Sequence, residues 1–324
     1  MMDNVSVVTL FTLSGLNHTL EQRITLFLLA LLWYLMILLG NVALIVIIIV
    51  DKSLHEPMYI FVCNLCINGL YGTVGFYPKF LLDLLSHHVI SHAGCLLQGF
   101  VIHSSICGDF SILALMAYDR YVAICRPLVY HSVMTKQRVS IFVFFSWFIP
   151  LYCMLMNTAS VIGLQLCGSH IQKLYCVNWM IIKLACSPPK ANTVIAYFNI
   201  TFYFLHAVFI FWSYMYLIKT CLTSKDNRGK FMQTCVPHLI SLFTFTIAVL
   251  LDLLYMRFGL TDVSQNLHNF MALQILLIPP VMNPFIYGFK LTKIRNRILG
   301  FVHIKKKNVK CQDMTFHIDG ELST

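Results

Sequence analysis

Met116-Ala117-Tyr118-Asp119-Arg120-Tyr121-Val122-Ala123-Ile124-Cys125 closes an apolar run that begins near Gly94 and holds one other charged residue, Asp109. Arginine keeps its proton at any usable pH, so Arg120 has to be paired, hydrated or close to a membrane face. Asp119 is its adjacent partner. A fixed positive charge held by a titratable neighbour at the mouth of a helix bundle can act as a switch. The plainer alternative is a juxtamembrane Arg that snorkels to the lipid headgroups.

Outward from that stretch, composition places the chain in a membrane. Its 324 residues are 58% hydrophobic and 11% charged, with mean hydropathy +0.76, whereas a soluble domain carries about 25% charged residues. The length accommodates about seven spans of roughly 20 residues with short connections. A net charge of +10 would suit nucleic acid, but 17 of the 23 Lys and Arg residues fall in segments placed inside the cell. That asymmetry follows the positive-inside rule and describes no nucleic-acid face. Met1–Leu20 lacks a basic leader, so the first span is expected to act as a signal anchor.

The expected organisation is an extracellular tail over residues 1–23, seven spans within residues 24–289, and a cytoplasmic eighth helix and tail over residues 290–324. The tail carries Asn4-Val5-Ser6 and Asn17-His18-Thr19, which mark Asn4 and Asn17 as glycosylation acceptors; a third triplet at Asn199 falls inside a span and reads as unused. The spans are placed near Ile24–Val50, Met58–Leu85, Gly94–Cys125, Val139–Leu164, Ala191–Leu222, Lys230–Gly259 and Leu267–Phe289. Asn41 in the first span needs a neighbouring helix to satisfy it. Pro57 suits the first turn of the second.

Asp109 precedes Arg120 by eleven residues, about 16 Å along one face of a helix. An acid near mid-bilayer is expensive, which makes Asp109 a candidate ion or proton switch, with a hydrogen-bonded structural acid as the alternative. His87, His88 and His92 lack the regular spacing of a metal site and read as part of a solvated loop. No metal or other cofactor is expected. Four cysteines, Cys95, Cys167, Cys176 and Cys186, lie in external segments and admit three pairings. Pro284 breaks a backbone bond within the last span, and Asn283 offers polar atoms in its place. Lys290–Phe301 alternates basic and apolar residues as an amphipathic helix on the inner leaflet would, and Lys305-Lys306-Lys307 suits contact with the lipid surface. There is no phosphate-cradling loop, paired zinc motif or nucleophile with a spaced base, so nothing points to an enzyme. An odd number of spans fits an inverted-repeat transporter poorly.

Met116–Cys125 as a whole resembles the signature of olfactory receptors, a branch of the rhodopsin-like G-protein-coupled receptors. Leu54–Tyr59, the loop with Cys167-Gly168 and Lys183-Leu184-Ala185-Cys186, Lys230–Leu239 and Pro279–Tyr287 are similar to that family's motifs in the same order. The chain departs from the pattern at Gly69 (usually Asp), Asp109 (usually Glu), Lys173 (often His), Phe231, Pro237 and Thr246. The resemblance implies an all-α membrane protein, a seven-transmembrane helix bundle with a short amphipathic helix 8. It implies disulfides Cys95–Cys176 and Cys167–Cys186, and a plasma-membrane location in the lipid bilayer. It also implies coupling through Asp119, Arg120 and Tyr121 to a heterotrimeric G protein of the stimulatory, olfactory type, which raises cyclic AMP. Asn283, Pro284 and Tyr287 would form a hinge.

The ligand implied is a small-molecule odorant, held between spans three, five, six and seven. Ile102, His103, Ile106 and Cys107 can share one inward stripe of the third span. Trp179 of the second outer loop and Arg257 at the outer end of span six complete the candidate pocket. Arg257-Phe258-Gly259 together with His103 resembles the fish-like (class I) receptors, some of which bind short carboxylic acids. A guanidinium pairs bidentately with a carboxylate. The alternatives are a surface Arg meeting lipid or Asp262, and a neutral odorant held by apolar contacts.

Overall fold

The computed structural model describes residues 9–14, 19–187, 190–223, 265–290 and 293–297, with isolated residues between 236 and 249. The first span, Leu20–Val50, starts where Thr19 and Gln22 form a reciprocal capping box, which satisfies two backbone donors that a helix start leaves open. Its buried residues Ile37, Asn41, Leu44 and Ile48 recur every three to four positions. One stripe therefore packs inward, while Leu28, Leu35, Leu39 and Val46 on the other faces are exposed.

The second span, Pro57–Leu85, begins with proline at a position that needs no N–H. The third, His92–Cys125, is capped by Ser91. The fourth, Lys136–Ile162, is capped by Thr135 and starts three residues before the sequence places it. Lys190–Thr223 is the fifth and Gln265–Lys290 the seventh; described residues between 236 and 249 are helical, as are residues 293–297.

Among the described residues, the second and third spans make the most extensive interface. Small residues let them approach: a Cβ at Gly72 would collide with the Ser105 side chain, and one at Gly108 would come within 2.7 Å of Asn68 Oδ1. In a membrane, close backbone approach of this kind replaces the hydrophobic drive available in water.

One end of the bundle carries a small sheet that the sequence reading lacks. β1 (Leu10–Leu13), from the tail, lies between β2 (Val89–Ser91) and β3 (His170–Ile171), antiparallel to the first and parallel to the second. The tail is thus ordered over these residues, and the segment expected as a solvated loop is partly a strand. The alternation of β1 buries Phe11 and Leu13 in a cluster with Ile90, Cys95, Ile171 and Cys176. The three histidines do not converge, since His92 opens the third span and its ring lies 5.6 Å from that of Phe11.

Candidate functional site

At the end of the third span opposite the sheet, Asp119 is fully buried, and among the described residues it accepts hydrogen bonds from Arg120 and Tyr130. Arg120 Nε donates to Oδ2 at 2.9 Å, and Arg120 Nη2 donates to the same oxygen. Tyr130 donates its hydroxyl to Oδ1 at 2.8 Å. Tyr130 stands in the short helix Tyr130–Val133, which the Pro127–Val129 turn swings back beneath the third span. Burial and the Asp119 carboxylate push the Tyr130 phenol above its ordinary range, so it stays protonated and donating. Sequence reading found Asp119 and Arg120 but not Tyr130, whose partnership depends on that turn. Tyr121 faces the fifth span, its ring 5.5 Å from Tyr216, with the Arg126 guanidinium 5.8 Å above it.

At mid-bundle, Asn68 Nδ2 donates to Asp109 Oδ1 and to the Ser105 carbonyl, both at 2.8 Å. Ser105 returns a bond to the Asn68 carbonyl at 3.1 Å. Asp109 is therefore a buried acid tied to the second span through Asn68. Asn41 joins the first span to the seventh by donating to the Pro280 carbonyl at 2.8 Å, and among the described residues its Oδ1 has no hydrogen-bond partner. Gly69 lies beside this junction: a Cβ there would sit 3.8 Å from both Asn41 Oδ1 and Pro280. Pro284 packs on Gly40, whose missing side chain lets the first and seventh spans meet at the kink. Asn283 and Tyr287 are buried at the same end of the seventh span.

Towards the sheet, the bonds Cys95–Cys176 and Cys167–Cys186 bind the second outer loop to the third span and close it on itself. Gln98 adds a polar tie, accepting from the Cys176 N–H at 2.9 Å and donating to the Gly75 carbonyl at 3.1 Å. Below this loop, Ile102, Ile106 and Trp179 belong to one continuous apolar cluster. Ile102 is fully buried and packs near Gly75 of the second span, whereas His103, Ile106 and Cys107 are half-buried. His103 Nδ1 lies 2.8 Å from the Gly99 carbonyl. The Phe110 ring meets Phe245 of the sixth span at 4.8 Å, one helical turn below. Lys173 is fully buried with its ammonium 5.0 Å from the Tyr175 ring centre. Asn199 is buried within the fifth span. Arg257, Asp262, Asn4 and Asn17 lie outside the described residues.

The helix order, with a buried Asp119–Arg120–Tyr130 network at one end of the third span, is that of a seven-helix bundle of the rhodopsin type. The structure of squid rhodopsin superposes with a TM-score of 0.70 over 88% of this chain and 81% of that one, at 17% identity. Residues 30–305 match the olfactory receptor family. Among similar proteins, olfactory receptor 52D1 of Homo sapiens is 34% identical over 284 residues, 85% of this chain and 88% of its own. Olfactory receptor 51B5 of Homo sapiens is 35% identical over 304 residues (89% and 94%), and olfactory receptor 6E1 of Mus musculus 31% identical over 299 residues (91% and 95%). The chain belongs to the olfactory receptor family. It is an odorant-sensing, multi-pass membrane receptor with a heterotrimeric G protein as partner, and not an enzyme.

Proposed function

We propose that this receptor stands in the plasma membrane with its sheet and disulfides outside, and activates a stimulatory, olfactory-type G protein that raises cyclic AMP. The lock around Asp119 carries this reading. Arg120 is held by a carboxylate that Tyr130 also holds, so one rearrangement releases a permanent cation towards the cytoplasmic partner. An odorant lodged among His103, Ile106, Cys107 and Trp179 presses on the third span, against which Phe110 and Phe245 couple the sixth. Ligand binding then selects the state in which Arg120 is free. Asn283, Pro284 and Tyr287 form the hinge, and Asp109 with Asn68 serves as the mid-bundle proton or ion switch. Asn4 and Asn17 carry glycans.

The ligand is a small carboxylic acid held by Arg257, as the fish-like affinity of Arg257-Phe258-Gly259 with His103 suggests. The test is a cyclic AMP assay across acids, alcohols and aldehydes. Arg120→Ala should abolish every response with surface expression intact. Arg257→Ala should weaken acid responses far more than the others, and equal loss across all classes would overturn the acid reading.

A further inference from the structure

The Asp119 end of the bundle carries a second feature that signalling through Arg120 does not use. A cavity of about 620 Å³ opens between the last two turns of the first span and the helix over residues 293–297, lined by Ala43, Val46, Ile47, Val50, Asp51 and Arg297. Its size falls in the range of about 300–1,000 Å³ usual for small-ligand sites. Four of those six residues are apolar, and Val46 and Val50 lie on the exposed face of the span, at 51% and 69% exposure. The polar end is built differently. Asp51 accepts from the Ser53 N–H at 3.0 Å and from Arg297 Nε. Those bonds hold the Asp51 carboxyl below its ordinary range, so it stays ionised and fixes the guanidinium from one side. Among the described residues, none accepts from the two terminal amino groups of Arg297. Lys52, exposed and next in the chain, adds a further cation.

We propose that this groove binds an anionic phospholipid of the cytoplasmic leaflet, its phosphate on the terminal amino groups of Arg297 and one acyl chain along Ala43, Val46 and Val50. The leaflet rests on the orientation proposed above; the amphiphile does not. Two observations choose the occupant. The apolar wall is the lipid-facing surface of a membrane span, which a soluble anion would leave uncovered. The polar end is a guanidinium anchored through Nε, and its remaining fork matches two oxygens of a phosphate. A lipid held there bridges the first span to the helix over residues 293–297 and adds to the pairs Asp51–Arg297 and Glu56–Lys293.

The test uses the purified full-length receptor in detergent, read by native mass spectrometry. Three probes are compared: dioctanoyl phosphatidylinositol bisphosphate, dioctanoyl phosphatidylcholine, and inositol trisphosphate as the free headgroup. The anionic lipid should bind about tenfold more tightly than phosphatidylcholine, with no binding of the free headgroup. Arg297→Ala, which removes the fork, and Val46→Trp, which fills the groove, should each reduce occupancy about tenfold, while thermal stability without lipid falls by no more than the loss of one surface ion pair costs. Equal occupancy by phosphatidylcholine, equal binding of inositol trisphosphate, or a loss in only one or neither of the variants would overturn the proposal. Antibody access to a C-terminal epitope tag on intact cells reads the orientation separately. A tail found outside would sink that reading and leave the lipid site standing.

Discussion

The two ends of the bundle are held together by different physics. At the sheet end most ties are covalent or end on backbone: two disulfides, the β1 ladder to β2 and β3, and Arg23, whose Nε donates to the Leu84 carbonyl at 2.8 Å and Nη2 to the Ser86 carbonyl at 3.2 Å, beside one ion pair within the second span, Lys79–Asp83. At the other end the ties are charge pairs and one phenol: Asp119–Arg120, Tyr130 to Asp119, Asp51–Arg297 and Glu56–Lys293. Covalent and ladder bonds have one geometry, whereas an exposed pair such as Glu56–Lys293 exchanges partners at small cost, and the buried Asp119–Arg120 pair is non-covalent and can re-form with another partner. The proposed function uses that contrast: the fixed frame would read the small ligand, and the deformable end would admit the partner.

The sheet end should show the largest effect. Cys176→Ala removes the tie between loop and third span, and losing such a bond typically costs about 2–5 kcal/mol. Thermal unfolding in detergent should drop steeply and surface expression should fall. A variant as stable as the parent would show that the frame does not depend on the disulfide. Next comes the lock. Asp119→Asn removes the charge that holds Arg120, and a bias of about 1 kcal/mol moves a two-state population about fivefold. Basal cyclic AMP should therefore rise without odorant; an unchanged baseline would mean that the Asp119 end is as rigid as the other.

The remaining two effects are small. A double-mutant cycle on Glu56 and Lys293, with side chains 57% and 52% exposed, should give a coupling of about 0.2–1 kcal/mol. A larger value would mark that rim as structural. The weakest signal concerns His88, whose pKa is lowered by desolvation, and further by Arg23, Lys79 and His87, with Asp83 opposing. A lowered folded-state pKa means stability that is present above the unfolded value and lost as pH falls towards the folded one. Melting temperature should decline slightly on acidification below the usual histidine range, and His88→Gln should flatten that slope. An unchanged slope in the variant would assign the effect elsewhere.

How much of this was legible in the sequence depends on the range of the interaction. The spans whose ends are described were, because an apolar run long enough to cross a bilayer is a local property; the first and fourth start a few residues early because Thr19 and Thr135 cap there, while both ends of the sixth lie outside the described residues. Asp119 and Arg120 were visible as misplaced charges in an apolar run. Tyr130 was not, since its bond depends on how the chain turns after Pro127. β1 was hidden for the same reason. Four residues in a polar tail become a strand only through partners near residues 90 and 170. Gly40 and Gly72 looked neutral in the sequence, and each proved to mark a close approach of two helices.

The sequence alone determined that the chain crosses a membrane in a series of helices, and that a permanent charge waits at the end of the third. Both follow from the cost of placing polar groups in hydrocarbon, which every residue feels regardless of its neighbours. Only the tertiary structure decided what answers those charges: Tyr130 for Asp119, Asn68 for Asp109, and Asp51 for a guanidinium 246 residues away. A hydrogen bond demands its partner within about 3 Å, and no spacing along the chain encodes which residue the fold will bring that close.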